Sequence, residues 1–78
     1  MKPEQVRMAR AALRIGVRDL AERAGVSFTT VSRFETGASG LQHSTAEAIR
    51  EALEAEGIQF LENGDVAAGP GVSLKAEQ

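Results

Sequence analysis

The sequence predicts a mainly α fold, four helices followed by a C-terminal β-hairpin, and three observations carry that prediction. Apolar residues recur at helical spacing up to about residue 57 and at strand alternation after it. Glycines stand at the predicted helix ends, at Gly25, Gly37 and Gly57, where a left-handed residue stops a helix without a Cβ clash. The chain has 78 residues and no cysteine, so one small core must hold it without disulfides or thiolate-bound metal.

Taken in order, Pro3 suits a first helical position, and Val6, Ala9, Arg10 and Leu13 then follow one face, which predicts a helix over 3–13. Arg10 falls between core positions, roughly 40° from Val6 on the helical wheel, so its charge must be answered. Glu35 sits roughly 40° from Val31 on its own helix and is the natural partner. Arg14, Ile15 and Gly16 connect to a second helix, on which Leu20, Ala21 and Ala24 share a face until Gly25 ends it. Val26 plugs the corner, and Ser27 is the N-cap of a third helix running from Phe28 to about Thr36. Val31 and Phe34 face inward there, while Thr29 and Arg33 face outward. After Gly37 the run from Ala38 to His43 reads as a loop, and Ser44-Thr45-Ala46-Glu47 reads as a capping box that opens the fourth helix. Ala46, Ile49, Ala52 and Leu53 close the core, with Arg50, Glu51 and Glu54 outward, until Gly57.

The tail changes period. Ile58-Gln59-Phe60-Leu61-Glu62 and Gly71-Val72-Ser73-Leu74-Lys75 have strand character, with a turn signal at Asn63-Gly64-Asp65 between them. A lone hairpin is marginal in water, so Ile58, Phe60, Val72 and Leu74 need a surface to cover them. The expectation is a sheet shared with a twofold partner. The alternative is a tail that folds back on its own helices or is partly disordered. The division is thus 1–57 for the helical domain and 58–78 for a hairpin dimerisation tail of the same compact unit.

A net charge of −2 hides a strong asymmetry. Residues 1 to 33 carry seven basic and three acidic side chains, a net +4, whereas residues 34 to 78 carry two basic and eight acidic ones, a net −6. No stretch has the length and apolarity of a membrane span or a signal peptide, so a cytoplasmic location is expected. The single histidine, His43, has no partner ligand, and Glu35 has no second acid or base beside it, so neither metal binding nor catalysis is expected. Nothing points to a cofactor or a small-molecule ligand, and a Gly-rich phosphate loop is absent.

Ala21, Gly25, Val26, Ser27, Val31, Phe34, Glu35 and Gly37, at these spacings, resemble the helix-turn-helix family of Cro and the phage repressors over about residues 4 to 56. The resemblance implies a repressor-like domain that binds double-stranded DNA, usually as a homodimer, and an Arg10–Glu35 pair joining the first and third helices. It also implies that Ser39, Gln42, His43 and Ser44 lie along the DNA backbone. The sequence departs from the family at Gly16, where a serine cap is usual, and at Val17 and Phe28, where glutamines often stand. Val17 can still offer its backbone N–H to a phosphate, and Arg14 and Arg18 are expected as phosphate contacts. Phe28 can pack against Val17 or touch a thymine methyl, and packing is the favoured expectation. Base reading is therefore assigned to Arg33, with Thr29 and Ser32 as secondary readers and Phe28 at the flank. The function expected is a sequence-specific transcriptional regulator, a repressor or autoregulator reading an inverted repeat through the major groove. The alternative is a protein-binding adaptor, an anti-activator or antitoxin, using the same surface.

Overall fold

Capping chemistry sets the helix boundaries. In a computed structural model that describes residues 1–61 and 71–74, the elements are α1 (Pro3–Leu13), α2 (Val17–Ala24), α3 (Phe28–Glu35), α4 (His43–Ala55), β1 (Ile58–Leu61) and β2 (Gly71–Leu74). Pro3 opens α1, and the Gln5 side chain reaches back to accept the Lys2 amide at 2.7 Å. Gly25 ends α2 in the left-handed region, at φ 70°, and a Cβ there would meet nothing within 4 Å, so backbone conformation alone accounts for glycine at this turn. Ser27 caps α3 by accepting the Thr30 amide at 3.4 Å. Its two neighbours Val26 and Phe28 then diverge, Val26 packing on the core and Phe28 turning outward.

α4 departs from expectation. Its N-cap is Gln42, whose carbonyl accepts the Ala46 amide at 2.9 Å, and no side chain caps this end. The helix therefore begins at His43, which lies in its first turn rather than in the loop, and Ser44 is inside the helix, past the position from which a capping box could form.

The core gathers Val6 and Ala9 of α1, Leu20 and Ala21 of α2, Val31 and Phe34 of α3, Ile49 and Leu53 of α4, and Ile58 and Phe60 of β1. The strands pair antiparallel with Ile58 opposite Leu74 and Phe60 opposite Val72. α1 packs against β2, and α4 packs against β1. The tail folds back on the chain's own helices, the alternative to a shared sheet. Ile58 is 2% and Phe60 6% exposed within the single chain, and the partly buried Val72 packs on the same core. The physical reason is economy of apolar area: burying each large side chain is worth about 1.5–3 kcal/mol, and a 57-residue bundle leaves room beside α1 and α4 for it. The expected turn at Asn63-Gly64-Asp65 lies outside the described residues, as does the side chain of Leu74.

Two polar groups enter this core, each with partners. Gln5 is fully buried and its amide donates to the Leu61 carbonyl at 3.1 Å, which ties the first turn of the chain to β1. Glu35 is the other. Among the described residues no buried side-chain nitrogen or oxygen lacks a hydrogen bond, as expected where stranding one costs about 1–3 kcal/mol. No helix among the described residues is long and apolar enough to cross a membrane.

Candidate nucleic-acid interface

The arginines sort themselves by partner. Arg10 donates from Nε to Glu35 Oε2 at 2.7 Å and from Nη2 to Oε1 at 2.6 Å, a two-pronged contact, and its remaining Nη1 reaches the Ile15 carbonyl at 3.2 Å. Side-chain exposure is 21% for Arg10 and 5% for Glu35. The hydrogen bonds to Glu35 raise the Arg10 pKa above its ordinary value against the opposing pull of burial, so the pair is a fixed charge pair. Arg7, one turn earlier on α1, donates to the Glu35 backbone carbonyl. Two arginines of α1 thus hold the C-terminal end of α3. Arg23 bridges Asp19 on its own helix and Glu56 beyond α4, each at 2.9 Å. Arg50, expected to point outward, instead lies 5.0 Å over the Phe60 ring and bonds Glu54 at 3.1 Å, so its stem and charge help cover the hairpin.

Arg14, Arg18 and Arg33 are different. Among the described residues none of the three has a side-chain hydrogen bond or an ion pair to the rest of the chain, and all are exposed. Arg14 ends α1 at φ 59°, ψ 42°, where a glycine would be more comfortable. Arg18, in the first turn of α2, lays its guanidinium 4.3 Å from the centre of the Phe28 ring. Arg33 stands on the outer face of α3, and Thr29, Arg33, Ser39 and Gln42 line one groove between that helix and the loop before α4. The backbone under Arg33 is fixed, because its carbonyl accepts from the amides of Ala38 (2.9 Å) and Ser39 (3.4 Å) and from the Thr36 hydroxyl (3.2 Å).

Helix ends complete the surface. Neither α2, with N-cap Gly16, nor α4, with N-cap Gln42, has a side-chain cap, so the first-turn amides at both ends are open to an external acceptor such as a phosphate. Val17, His43 and Ser44 are in these turns. Val17 is partly buried and packs on the core, while Phe28 is 40% exposed with the Arg18 guanidinium over its ring. Ser32 is half-buried and Thr29 exposed, which puts Thr29 ahead of Ser32 on the outward face. Among the described residues no cluster of three metal-ligating side chains converges.

Sequence reasoning missed Gln5, Arg7 and the Arg18–Phe28 stack. Arg7 was within reach, since it sits one turn from Arg10 and shares its side of the helix. Gln5 also carried a signal, an amide three residues after the N-cap, but its bond to Leu61 spans 56 residues and has no local trace.

The sequence matches the family described as helix-turn-helix domain over residues 4–67. That match covers most of the 78 residues, and the chain belongs to the helix-turn-helix domain family, a DNA-binding class of small regulators. No curated protein matches the chain significantly.

Proposed function

We propose that the chain is a sequence-specific transcriptional regulator, a homodimeric repressor or autoregulator that reads an inverted-repeat operator in the major groove and has no enzymatic activity. The observation that carries the reading is the division of the arginines: Arg7, Arg10, Arg23 and Arg50 donate to oxygens of the chain, while among the described residues Arg14, Arg18 and Arg33 donate to none and are left for an external anion or base. Arg33 reads a guanine through its O6 and N7, with Thr29 and Ser32 as secondary readers and Phe28 beside them. Arg14, Arg18, the open amides at Val17, and Ser39, Gln42, His43 and Ser44 hold phosphates. Arg10 and Glu35 are structural.

Duplexes enriched from a random-sequence library, with binding followed by fluorescence anisotropy, test this. Arg33→Ala should weaken the enriched duplex by about 1–3 kcal/mol and relax preference at one base pair per half-site. Arg14→Ala should weaken enriched and random duplexes alike and flatten the salt dependence by about one unit of slope per half-site. Equal, uniform losses from both variants would overturn the assignment, and a library with no enriched sequence would overturn DNA reading itself.

The homodimer follows from affinity. One domain of this size reaches few base edges, whereas two recognition helices about 34–36 Å apart read two half-sites one helical turn apart. Because Ile58 and Phe60 are spent on the chain's own core, the twofold contact uses an outer strand edge of the two-stranded sheet rather than the face of Ile58, Phe60, Val72 and Leu74 expected from sequence. Sedimentation of the intact chain at micromolar concentrations is expected to give a dimer. A monomer that stays monomeric on the enriched duplex would overturn this part of the reading.

A further inference from the structure

Phe28 is an anomaly in this fold. It is the first residue of α3, it is 40% exposed, it stands outside the core cluster, and a cation lies over its ring. A phenyl ring left at a surface in this way costs burial energy that Val17, Val26 or Leu41, all packed on the core nearby in the chain or the groove, do not give up. Arg18 is anomalous in the complementary sense. Its guanidinium carbon lies over the ring, 4.3 Å from the ring centre, and among the described residues it has no acceptor for any of its five N–H donors, whereas Arg7, Arg10, Arg23 and Arg50 each donate to an oxygen. The cation–ring contact restrains the side chain without consuming its donors, and the residue is exposed.

We infer that Arg18 and Phe28 act as one recognition unit, in which Phe28 contacts the 5-methyl group of a pyrimidine in the major groove and Arg18, held over the ring, binds the adjoining phosphate and positions that ring. The inference rests on the DNA-reading function proposed above and assigns its chemistry at the first residue of the recognition helix. A thymine methyl is the apolar feature that the major-groove edge of DNA presents, and Phe is among the side chains suited to it. The first turn of α2, which carries Arg18, is also where the uncapped amides await a phosphate. Arg18 is thus a positioning residue for a base contact as well as a phosphate ligand, and its loss should be felt in sequence preference. The stack also makes the unit indifferent to the rest of the pyrimidine, so 5-methylcytosine should satisfy Phe28 where cytosine does not.

Replacing thymine by uracil removes that methyl group and nothing else. On a duplex enriched from a random library, uracil at one such thymine in a single half-site is expected to weaken binding by the intact chain about fourfold, the usual worth of one buried methyl. Phe28→Ala should bind the thymine and uracil duplexes equally. Arg18→Ala should lower the thymine-to-uracil ratio as well as flatten the salt dependence, and Arg18→Lys, which keeps the charge but loses the planar stack, should keep the salt slope and still lose the ratio. Circular dichroism of each variant confirms that the fold is retained. A chain that enriches a sequence yet ignores uracil at every thymine position would overturn the inference and leave the proposed function standing. So would a full thymine-to-uracil ratio in Arg18→Lys.

Discussion

Arg10→Ala should destabilise the fold by about 3–5 kcal/mol, because it removes both donors to the Glu35 carboxylate at 5% exposure and leaves Arg7 only on the backbone carbonyl. A chain of this size shifts its melting temperature by roughly 4–8 °C per kcal/mol, so thermal denaturation followed by circular dichroism reads the effect easily. The loss would be suffered by α3 first, since Arg10 grips its last residue by both carboxylate oxygens. Glu35→Ala should cost less, because Arg10 is 21% exposed and retains the Ile15 carbonyl. Replacing the two together, Arg10→Met with Glu35→Leu, should recover most of the stability, as paired apolar groups need no partner. An Arg10→Ala chain that melts with the parent would show that the carboxylate is solvated and the account of α3 wrong.

Phe60→Ala should have an effect of the same size, about 3–5 kcal/mol, and for a different reason. The ring is 6% exposed, it belongs to the central cluster with Ile49 and Leu53, and the Arg50 guanidinium closes over it. Truncation leaves a cavity beneath Arg50 and removes a side chain that α4 packs on. If the hairpin served only to join two subunits, the same substitution would change sedimentation and leave the melting temperature of the chain untouched. That outcome would overturn the packing described above. With a total stability of about 5–15 kcal/mol in proteins of this kind, either substitution consumes a large share of it.

The four helices were legible because each carries its signal within one or two turns: a proline at the start of α1, a serine before α3, glycines after α2, α3 and α4, and apolar residues three and four apart. The ion pair was legible for a less local reason, as two charged residues on two apolar faces leave few ways to satisfy both. Strand pairing was readable from alternation at Ile58, Phe60 and Val72, but the surface that covers them was not. Alternation says which face must be buried and is silent on whether the chain itself or a second molecule does the burying. The start of α4 was misread because Ser44 and Glu47 have the right spacing for a cap, while the residue that ends the loop, Gln42, has no side-chain signature for its role. At the candidate interface, the outward position of Arg33 followed from helical rotation, whereas the fate of Phe28 depended on whether Val17 turned toward it or toward the core, a choice between tertiary contacts that no spacing encodes.

The Gln5 amide gives the molecule a property beyond packing. It joins the second residue of the chain, through its oxygen, to the end of the first strand, through its nitrogen, and does so with the side chain wholly enclosed. Peeling the hairpin away would leave this amide without its acceptor in an apolar surrounding, and fraying α1 would expose the hairpin's inner face. Each opening raises the cost of keeping the other part closed. Partial unfolding from either terminus is therefore suppressed relative to complete unfolding, and the amide protons of α1 and of β1 should exchange with solvent through the same opening event. Such coupling gives a small DNA-binding domain a sharp transition between a folded form and a fully unfolded one, the form that a protease removes, with little in between that could bind DNA halfway.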